Sequence, residues 1–317
     1  MNILITGLHG FVGSNLTKFL KAKHILYGLD IISPEKDGIV KTHSWYDLET
    51  KNPSEVDTII HLAGKAHDTK NQSEAKTYFD INTGLTKKIY DYFLASSAKK
   101  FIFFSSVKAA ADSVPGEVLT EDVVPNPKGP YGESKILAEQ YIQEHWPATD
   151  SGKTVIILRP CMIHGPGNKG NLNLLYKFVE KGIPWPLGSF DNQRSFCSIN
   201  NLCFVIQQLI EKNIESGIYQ VADDQPLSTN QLVTLIAESL NKKARVWNIN
   251  QTLIRQLAKY GDLLHLPLNS ERLKKLTESY VVSNQKLKSA LGIDNMPVSS
   301  TSGMQKTLSS FDINILH

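Results

Sequence analysis

A doubly wound, parallel α/β sheet with a second, smaller domain is the fold this sequence predicts, and three observations predict it. Continuously apolar runs recur through the first half, at Ile3 to Thr6, Ile25 to Leu29, Thr58 to Leu62, Phe101 to Phe104 and Val155 to Leu158. Stretches with helical spacing lie between most of them, such as Leu16, Phe19 and Leu20, or Ile89, Tyr90 and Phe93. Strands that are apolar on both faces and alternate with helices belong to a sheet covered on both sides. After about Pro160 the pattern loosens into Gly165-Pro166-Gly167 and Ile183-Pro184-Trp185-Pro186, with short helical segments at Leu202 to Lys212 and Thr229 to Leu240. That shift marks a smaller domain with long surface loops. The expected division is 1–160 for the sheet domain, with a later segment returning to it, and 161–317 for most of the second domain.

Bulk properties narrow the class. A chain of 317 residues exceeds the size at which one core stops growing, and 41% hydrophobic with 21% charged residues is ordinary globular composition. The net charge of +3 is spread along the chain, and the lysine pairs Lys87-Lys88, Lys99-Lys100, Lys242-Lys243 and Lys274-Lys275 read as solvated helix faces. No nucleic-acid footprint is expected. Cys161, Cys197 and Cys203 are an odd count without CxxC spacing, so neither a disulfide framework nor a metal site is expected. The first apolar run starts at Ile3, leaving no room for a signal peptide, and no apolar stretch approaches the roughly 18 to 20 residues that span a bilayer. A cytoplasmic protein with no membrane partner is the expectation.

The first run leads directly into Gly7-Leu8-His9-Gly10-Phe11-Val12-Gly13 and then a helical stretch from Ser14 to about Lys21. Glycines at a strand-to-helix turn let the backbone bend sharply and let a pyrophosphate approach the helix N-terminus, where free N–H groups and the helix dipole favour negative charge. A glycine triplet alone is weak. Here it opens a βαβ pattern of Rossmann type, and Asp30 closes the next strand 23 positions after Gly7, close to the spacing of a ribose reader. A carboxylate there accepts from ribose hydroxyls and repels a 2′-phosphate, so NAD is expected over NADP.

A second signal is Pro130-Tyr131-Gly132-Glu133-Ser134-Lys135, continued by Ile136, Leu137 and Tyr141 at helical spacing. Residues at i and i+4 share one helix face, so phenol and ammonium point the same way. The lysine charge is expected to lower the tyrosine pKa from about 10 toward neutrality, as an acid/base requires. Phe103-Phe104-Ser105-Ser106 places two hydroxyls at the carboxyl end of a strand, where ligands bind in such sheets. Ser106, Tyr131 and Lys135 are the candidate catalytic residues.

At this point the sequence resembles the extended short-chain dehydrogenase/reductase family, especially its nucleotide-sugar epimerases, reductases and dehydratases. The matching pieces run in family order over nearly the whole chain: the glycine loop, Asp30, Asp47-Leu48, His61-Leu62-Ala63-Gly64, Asn82, Ser105-Ser106, Tyr131 with Lys135, and Leu158-Arg159-Pro160. The resemblance implies that Phe11 and Val12 lie under the pyrophosphate and that Asp30 holds the adenosine ribose. It implies Asp47 and Leu48 beside the adenine, Leu62, Ala63 and Gly64 on the nicotinamide side, Lys135 on the nicotinamide ribose, and Asn82 ordering the site. Ser106 and Tyr131 would face the sugar, with Asn171, Leu172 and Arg194 where the family contacts a nucleoside diphosphate. Three positions depart from the family: Met162 stands where Asn is frequent, His164 where Tyr is usual and Asn201 where Asp is usual. His9, His61, His67 and His164 are expected to be packed or surface residues without a catalytic role.

Dehydratases of this family carry an acid just after the catalytic Ser or Thr; Val107 and Lys108 stand there, which speaks against 4,6-dehydration. The resemblance therefore implies a UDP-sugar 4-epimerase working through a 4-keto sugar. The alternative is an NAD(P)H-dependent 4-ketoreductase of a UDP-4-keto-6-deoxy-aminosugar for surface polysaccharides. A non-catalytic NAD(P)-sensing protein is a third reading, opposed by the intact trio. A homodimer is expected from the relatives' habit.

Overall fold

The computed structural model describes residues 1–32, 34–50, 55–66, 74–114, 116–168, 170–264 and 268–313; His67 lies outside them, as does the side chain of Asn171. β1 (Asn2–Thr6) leads into α1 (Phe11–Leu20), and β2 (Ile25–Leu29) and β3 (Ile39–His43) lead to α2 (Trp45–Thr50). β4 (Thr58–His61) precedes α3 (Ala75–Tyr78), a π-helical turn (Phe79–Gly84) and α4 (Leu85–Ala95). β5 (Lys100–Phe104), α5 (Val107–Ala110), α6 (Pro130–Glu144) and β6 (Thr154–Pro160) follow. Beyond them come β7 (Met162–His164), α7 (Asn171–Glu180), β8 (Phe196–Ser198), α8 (Ile199–Glu211) and β9 (Gly217–Val221). The chain ends in α9 (Thr229–Ser239), α10 (Gln251–Leu264), α11 (Ser270–Thr277), α12 (Gln285–Leu291) and α13 (Ser300–Ile313).

Among the described residues a seven-stranded sheet has the order β3-β2-β1-β4-β5-β6-β9, parallel throughout. The five apolar runs are five of its strands. β3 has no such run because it is an edge strand whose Val40 is exposed, and β9 comes from beyond residue 160. Successive side chains alternate between two cores. Ile3, Ile5, Ile102 and Ile156 pack with Leu16 and Leu20 of α1 and Leu202, Val205 and Leu209 of α8. Leu4, Phe101, Phe103, Val155 and Ile157 face Ile89 and Phe93 of α4 and Ala138 and Ile142 of α6. A third core joins Leu172 and Tyr176 of α7 to Leu232 and Ile236 of α9, Ile254 and Ala258 of α10, and Met304 and Leu308 of α13. It holds the second lobe together.

One polar contact sits inside this apolar packing. Glu139 of α6 and Arg159 of β6 are both fully buried and paired, with Arg159 Nε 3.0 Å from Glu139 Oε1 and Nη2 2.5 Å from Oε2. Ser105 Oγ also donates to Glu139 Oε1. The pair therefore ties the middle of α6 to the carboxyl ends of β5 and β6. Removing one partner leaves the other charge buried alone, which costs about 3–5 kcal/mol. Glu139→Ala is expected to lose that much in urea unfolding, whereas a matched apolar replacement of both residues loses far less; equal losses would show that the pairing is not what matters.

Candidate active site

Strand order reverses between β1 and β4, and a doubly wound sheet opens its ligand crevice at the carboxyl ends of strands at that switch point. The glycine loop fills one side of it. Gly7 has φ +68°, and a Cβ there would lie 2.8 Å from the backbone of Ala63, so the loops after β1 and β4 touch main chain to main chain. A Cβ on Gly13 would lie 2.5 Å from Gly7 O, so α1 packs directly on the turn. Gly10 is the N-cap of α1 and offers no side-chain cap, which leaves the first-turn N–H groups available to an anion. Phe11 and Val12 begin that helix and lean on the core beneath it, with the Phe11 ring against Gly165.

Asp30 follows β2 at the rim of this loop. Its carboxylate accepts from the backbone N–H of Ile31 at 2.8 Å and of His9 at 3.2 Å, which orients it without neutralising it. Lys36 reaches in from the following loop, donating to Leu8 O and, at 3.0 Å, to Ser14 Oγ. Sequence reasoning missed Lys36, because a lone lysine in a polar loop carries no local signal. Asp47 is held at the start of α2, where it accepts from Ser44 N at 2.9 Å and Ser44 Oγ at 3.0 Å; Leu48 beside it packs on the core. The loop after β1, with its open helix start and fixed carboxylate, matches what a dinucleotide pyrophosphate and ribose require.

The β4 side is organised by a chain of hydrogen bonds. Ala63 N donates to Thr6 Oγ1 at 3.0 Å, Thr6 Oγ1 meets His61 Nδ1 at 2.7 Å, and His61 Nε2 meets Thr86 Oγ1 at 2.9 Å. Thr86 spends its proton on Asn82 O at 2.6 Å, so His61 Nε2 carries the hydrogen and Nδ1 accepts from Thr6. Burial and the nearby Lys135 hold the His61 imidazole well below its usual pKa, so it stays neutral. His61 is a packed residue. Asn82 lies in the π-helical turn, accepting from Lys65 N at 2.8 Å and donating to Lys65 O at 3.2 Å and Ser134 Oγ at 3.0 Å. A Cβ on Gly64 would lie 3.0 Å from Asn82 Oδ1 and 3.2 Å from Lys135 Nζ. Leu62, Ala63 and Gly64 thus run from the glycine loop to the lysine.

Tyr131, Lys135 and Glu139 stand one helical turn apart on the inward face of α6, whose start is set by Gly129 at φ +82° and Pro130 at its first turn. Lys135 Nζ donates to Phe104 O at 2.7 Å and lies 5.1 Å over the Phe103 ring. Ser106, the N-cap of α5, hydrogen-bonds the half-buried Tyr131 hydroxyl. The Tyr78 ring meets Tyr131 edge-on at 6.3 Å, a neighbour the sequence reading did not foresee. Burial lowers the Lys135 pKa to about 8. The Tyr131 pKa runs opposite to the sequence expectation: burial raises it, and the Ser106 hydrogen bond only partly opposes that. In this state Tyr131 is a phenol, because desolvation of a phenolate outweighs the Ser106 hydrogen bond that favours it.

The substrate-side candidates are not gathered as closely. Met162 is partly exposed on β7, and Leu172 is buried in the second-lobe core. Asn171 opens α7. Arg194 Nε donates to Glu278 O at 3.2 Å and its Nη2 to Lys275 O, so it braces the end of α11. The same residue bridges Tyr280, whose hydroxyl donates to Ala111 O at 2.7 Å beside α5. His164 is buried, 2.8 Å from Thr307 Oγ1 and 3.6 Å from Asp223, and joins β7 to α13. Asn201 donates to Asp223 at 2.6 Å and to Val298 O at 2.8 Å, a structural role at a position where the resemblance expects an acid.

Comparison with known proteins agrees with this geometry. The model of the NAD dependent epimerase/dehydratase family matches residues 3–222. The UDP-glucose 4-epimerase of Vibrio cholerae is 34% identical over 256 residues, covering 76% of each chain. An N-acetyl-alpha-D-glucosaminyl-diphospho-ditrans,octacis-undecaprenol 4-epimerase of Escherichia coli O157:H7 is 29% identical over 248 residues, 76% of this chain and 73% of that one. The solved UDP-glucuronic acid 4-epimerase of Bacillus cereus, in complex with NAD, has a TM-score of 0.74 at 19% identity, covering 98% of this chain and 96% of that one. The chain belongs to the NAD-dependent epimerase/dehydratase family, of the extended short-chain dehydrogenase/reductase type.

Proposed function

We propose that the protein inverts C4 of a UDP-sugar through a 4-keto intermediate, with Tyr131 as the acid/base. The observation that carries the reading is the hydrogen-bonded Ser106–Tyr131 hydroxyl pair, one helical turn from Lys135 at the carboxyl end of β5. NAD, when bound along the glycine loop and Gly64, supplies the hydride acceptor and returns the hydride. The chain's own residues handle the proton and the pose. Ser106 can donate to the sugar O4, and Tyr131 takes the O4 proton as the phenolate and returns it as the phenol, so the phenol must first release its own proton to solvent. Lys135 holds positive charge beside that exchange, and Asn82 through Ser134 fixes the turn that carries both residues.

The relative in Vibrio cholerae supports UDP-glucose chemistry, and Met162 in place of a frequent Asn changes one wall of the sugar pocket. The Escherichia coli relative carries its sugar on a polyprenyl diphosphate, which also leaves C4 free; such a lipid is the second carrier compatible with the same trio.

Tyr131→Phe is expected to keep NAD bound while turnover falls about 10²–10⁴-fold, the usual range for a general acid/base; unchanged turnover would remove Tyr131 from that role. Denaturing the purified protein should release NAD in near-stoichiometric amount. An empty site together with NADH or NADPH consumption on a UDP-4-keto-6-deoxy-aminosugar would make it a 4-ketoreductase instead. Lys135 supplies a third test. Its folded pKa of about 8 lies below the unfolded value of about 10.4, so burying the ammonium costs stability below about pH 8 and the cost fades as pH rises toward 10. Lys135→Met should therefore lose activity yet gain about 2 kcal/mol relative to the parent at pH 7, after the lost hydrogen bond to Phe104, and not at pH 10.5. A pH-independent difference in thermal unfolding would contradict the assigned burial cost.

A further inference from the structure

α10 is amphipathic in two directions at once. Ile254, Ala258 and Gly261 are buried against the second-lobe core. Next to that buried face, Leu253, Leu257, Tyr260 and Leu264 form a row on the outside, at 49%, 49%, 64% and 64% exposure, with Leu263 at 74%. Their spacing of four, three and four residues keeps them on one helix face, a strip about 16 Å long at 1.5 Å per residue. Four large apolar side chains aligned in water are unlike the scattered exposed residues of ordinary surfaces, and they mark a contact site.

The charge around the strip indicates what covers it. Between Lys242 and Glu278 the chain has eight Lys and Arg against three Asp and Glu, although the whole protein is only +3. Arg255 and Lys259 lie on the polar face of α10 itself, while on α11, joined to α10 by Ser270 bonding Asp262, Lys274 and Lys275 are paired with Glu278 and Glu271. A second copy of this chain would meet the strip about a two-fold axis, setting the same basic groups against each other. An anionic partner with an apolar interior meets both needs. Leucines and an exposed tyrosine on one face with Lys and Arg on the other is the pattern of a helix lying in a bilayer interface. Length is no obstacle: among the described residues no helix is long and apolar enough to cross a membrane, but a helix lying on the surface need not be.

We propose that the exposed face of α10, with its own Arg255 and Lys259, docks the protein on an anionic membrane surface. The face is continuous with the candidate substrate lobe, because the end of α11 is the group of carbonyls that Arg194 braces. Docking would present that lobe to substrates or products held at the bilayer. The proposal rests on the surface alone and stands whichever sugar carrier is used.

The test is flotation of the full-length protein with vesicles of phosphatidylcholine mixed with phosphatidylglycerol, against phosphatidylcholine alone. Three proteins are compared: the parent, Leu257→Gln/Leu264→Gln and Arg255→Glu/Lys259→Glu. All four substituted side chains are exposed, so unchanged thermal unfolding and unchanged turnover on a soluble UDP-sugar serve as controls that keep docking separate from catalysis. The parent should float with the anionic vesicles only, salt should release it, and each double variant should bind at least about tenfold more weakly, the first through lost apolar burial and the second through reversed charge. No flotation of the parent, or equal flotation of all three, overturns the proposal. So does a dimer in light scattering that the leucine variant dissociates without any vesicle binding, which would assign the face to a second copy.

Discussion

The buried contact of Glu139 with Arg159 and Ser105 sets the register of the whole site. Glu139 lies two helical turns after Tyr131 and one after Lys135, all on the inward face of α6. Arg159 and Ser105 lie at the carboxyl ends of β6 and β5, two neighbouring strands. Any slide or rotation of α6 would separate a fully buried carboxylate from its guanidinium, which the apolar surroundings penalise heavily. With that register held, Tyr131 meets Ser106, and Lys135 meets Phe104 O. The adjacent serines therefore divide the work: Ser105 fixes the helix and Ser106 bonds the Tyr131 hydroxyl.

A second constraint ties this half of the site to the cofactor half. The hydrogen-bond chain from Ala63 through Thr6, His61 and Thr86 ends on Asn82, and Asn82 holds Ser134 on α6. The loop after β4 and the helix carrying Tyr131 are thereby parts of one polar network under an apolar roof of Phe101 and Phe103, which flank the His61 ring. A neutral imidazole suits this position, since it must accept from one threonine and donate to another. Lys135 next to it would oppose an imidazolium.

The sheet was legible because strands buried on both faces must be apolar throughout, and β1, β2, β4, β5 and β6 all show it. β3 escaped notice because an edge strand is free to carry exposed residues. The Tyr131–Lys135 face followed from helical spacing alone, but the direction of the Tyr131 shift did not, since burial depends on what the distant chain packs around the phenol. Glu139 was overlooked although an acid at i+8 on an apolar helix face is itself a signal, readable beside the arginine in Leu158-Arg159-Pro160. Leu172 and Arg194 came from likeness to a motif, and motif position does not say whether a side chain turns inward. The exposed row on α10 is the converse case: its leucines look like core in sequence, and only the packing of Ile254 and Ala258 shows which face is left over.

The central claim is that these residues move a proton while a hydride leaves and returns at one sugar carbon. UDP-sugars deuterated at C4 test it most directly, followed by NMR of the product in ordinary water. The account predicts inversion at C4 with the deuterium retained at that carbon and none lost to solvent. Inversion with the label washed out would mean deprotonation at carbon instead of hydride transfer, and would contradict the assignment of Ser106, Tyr131 and Lys135.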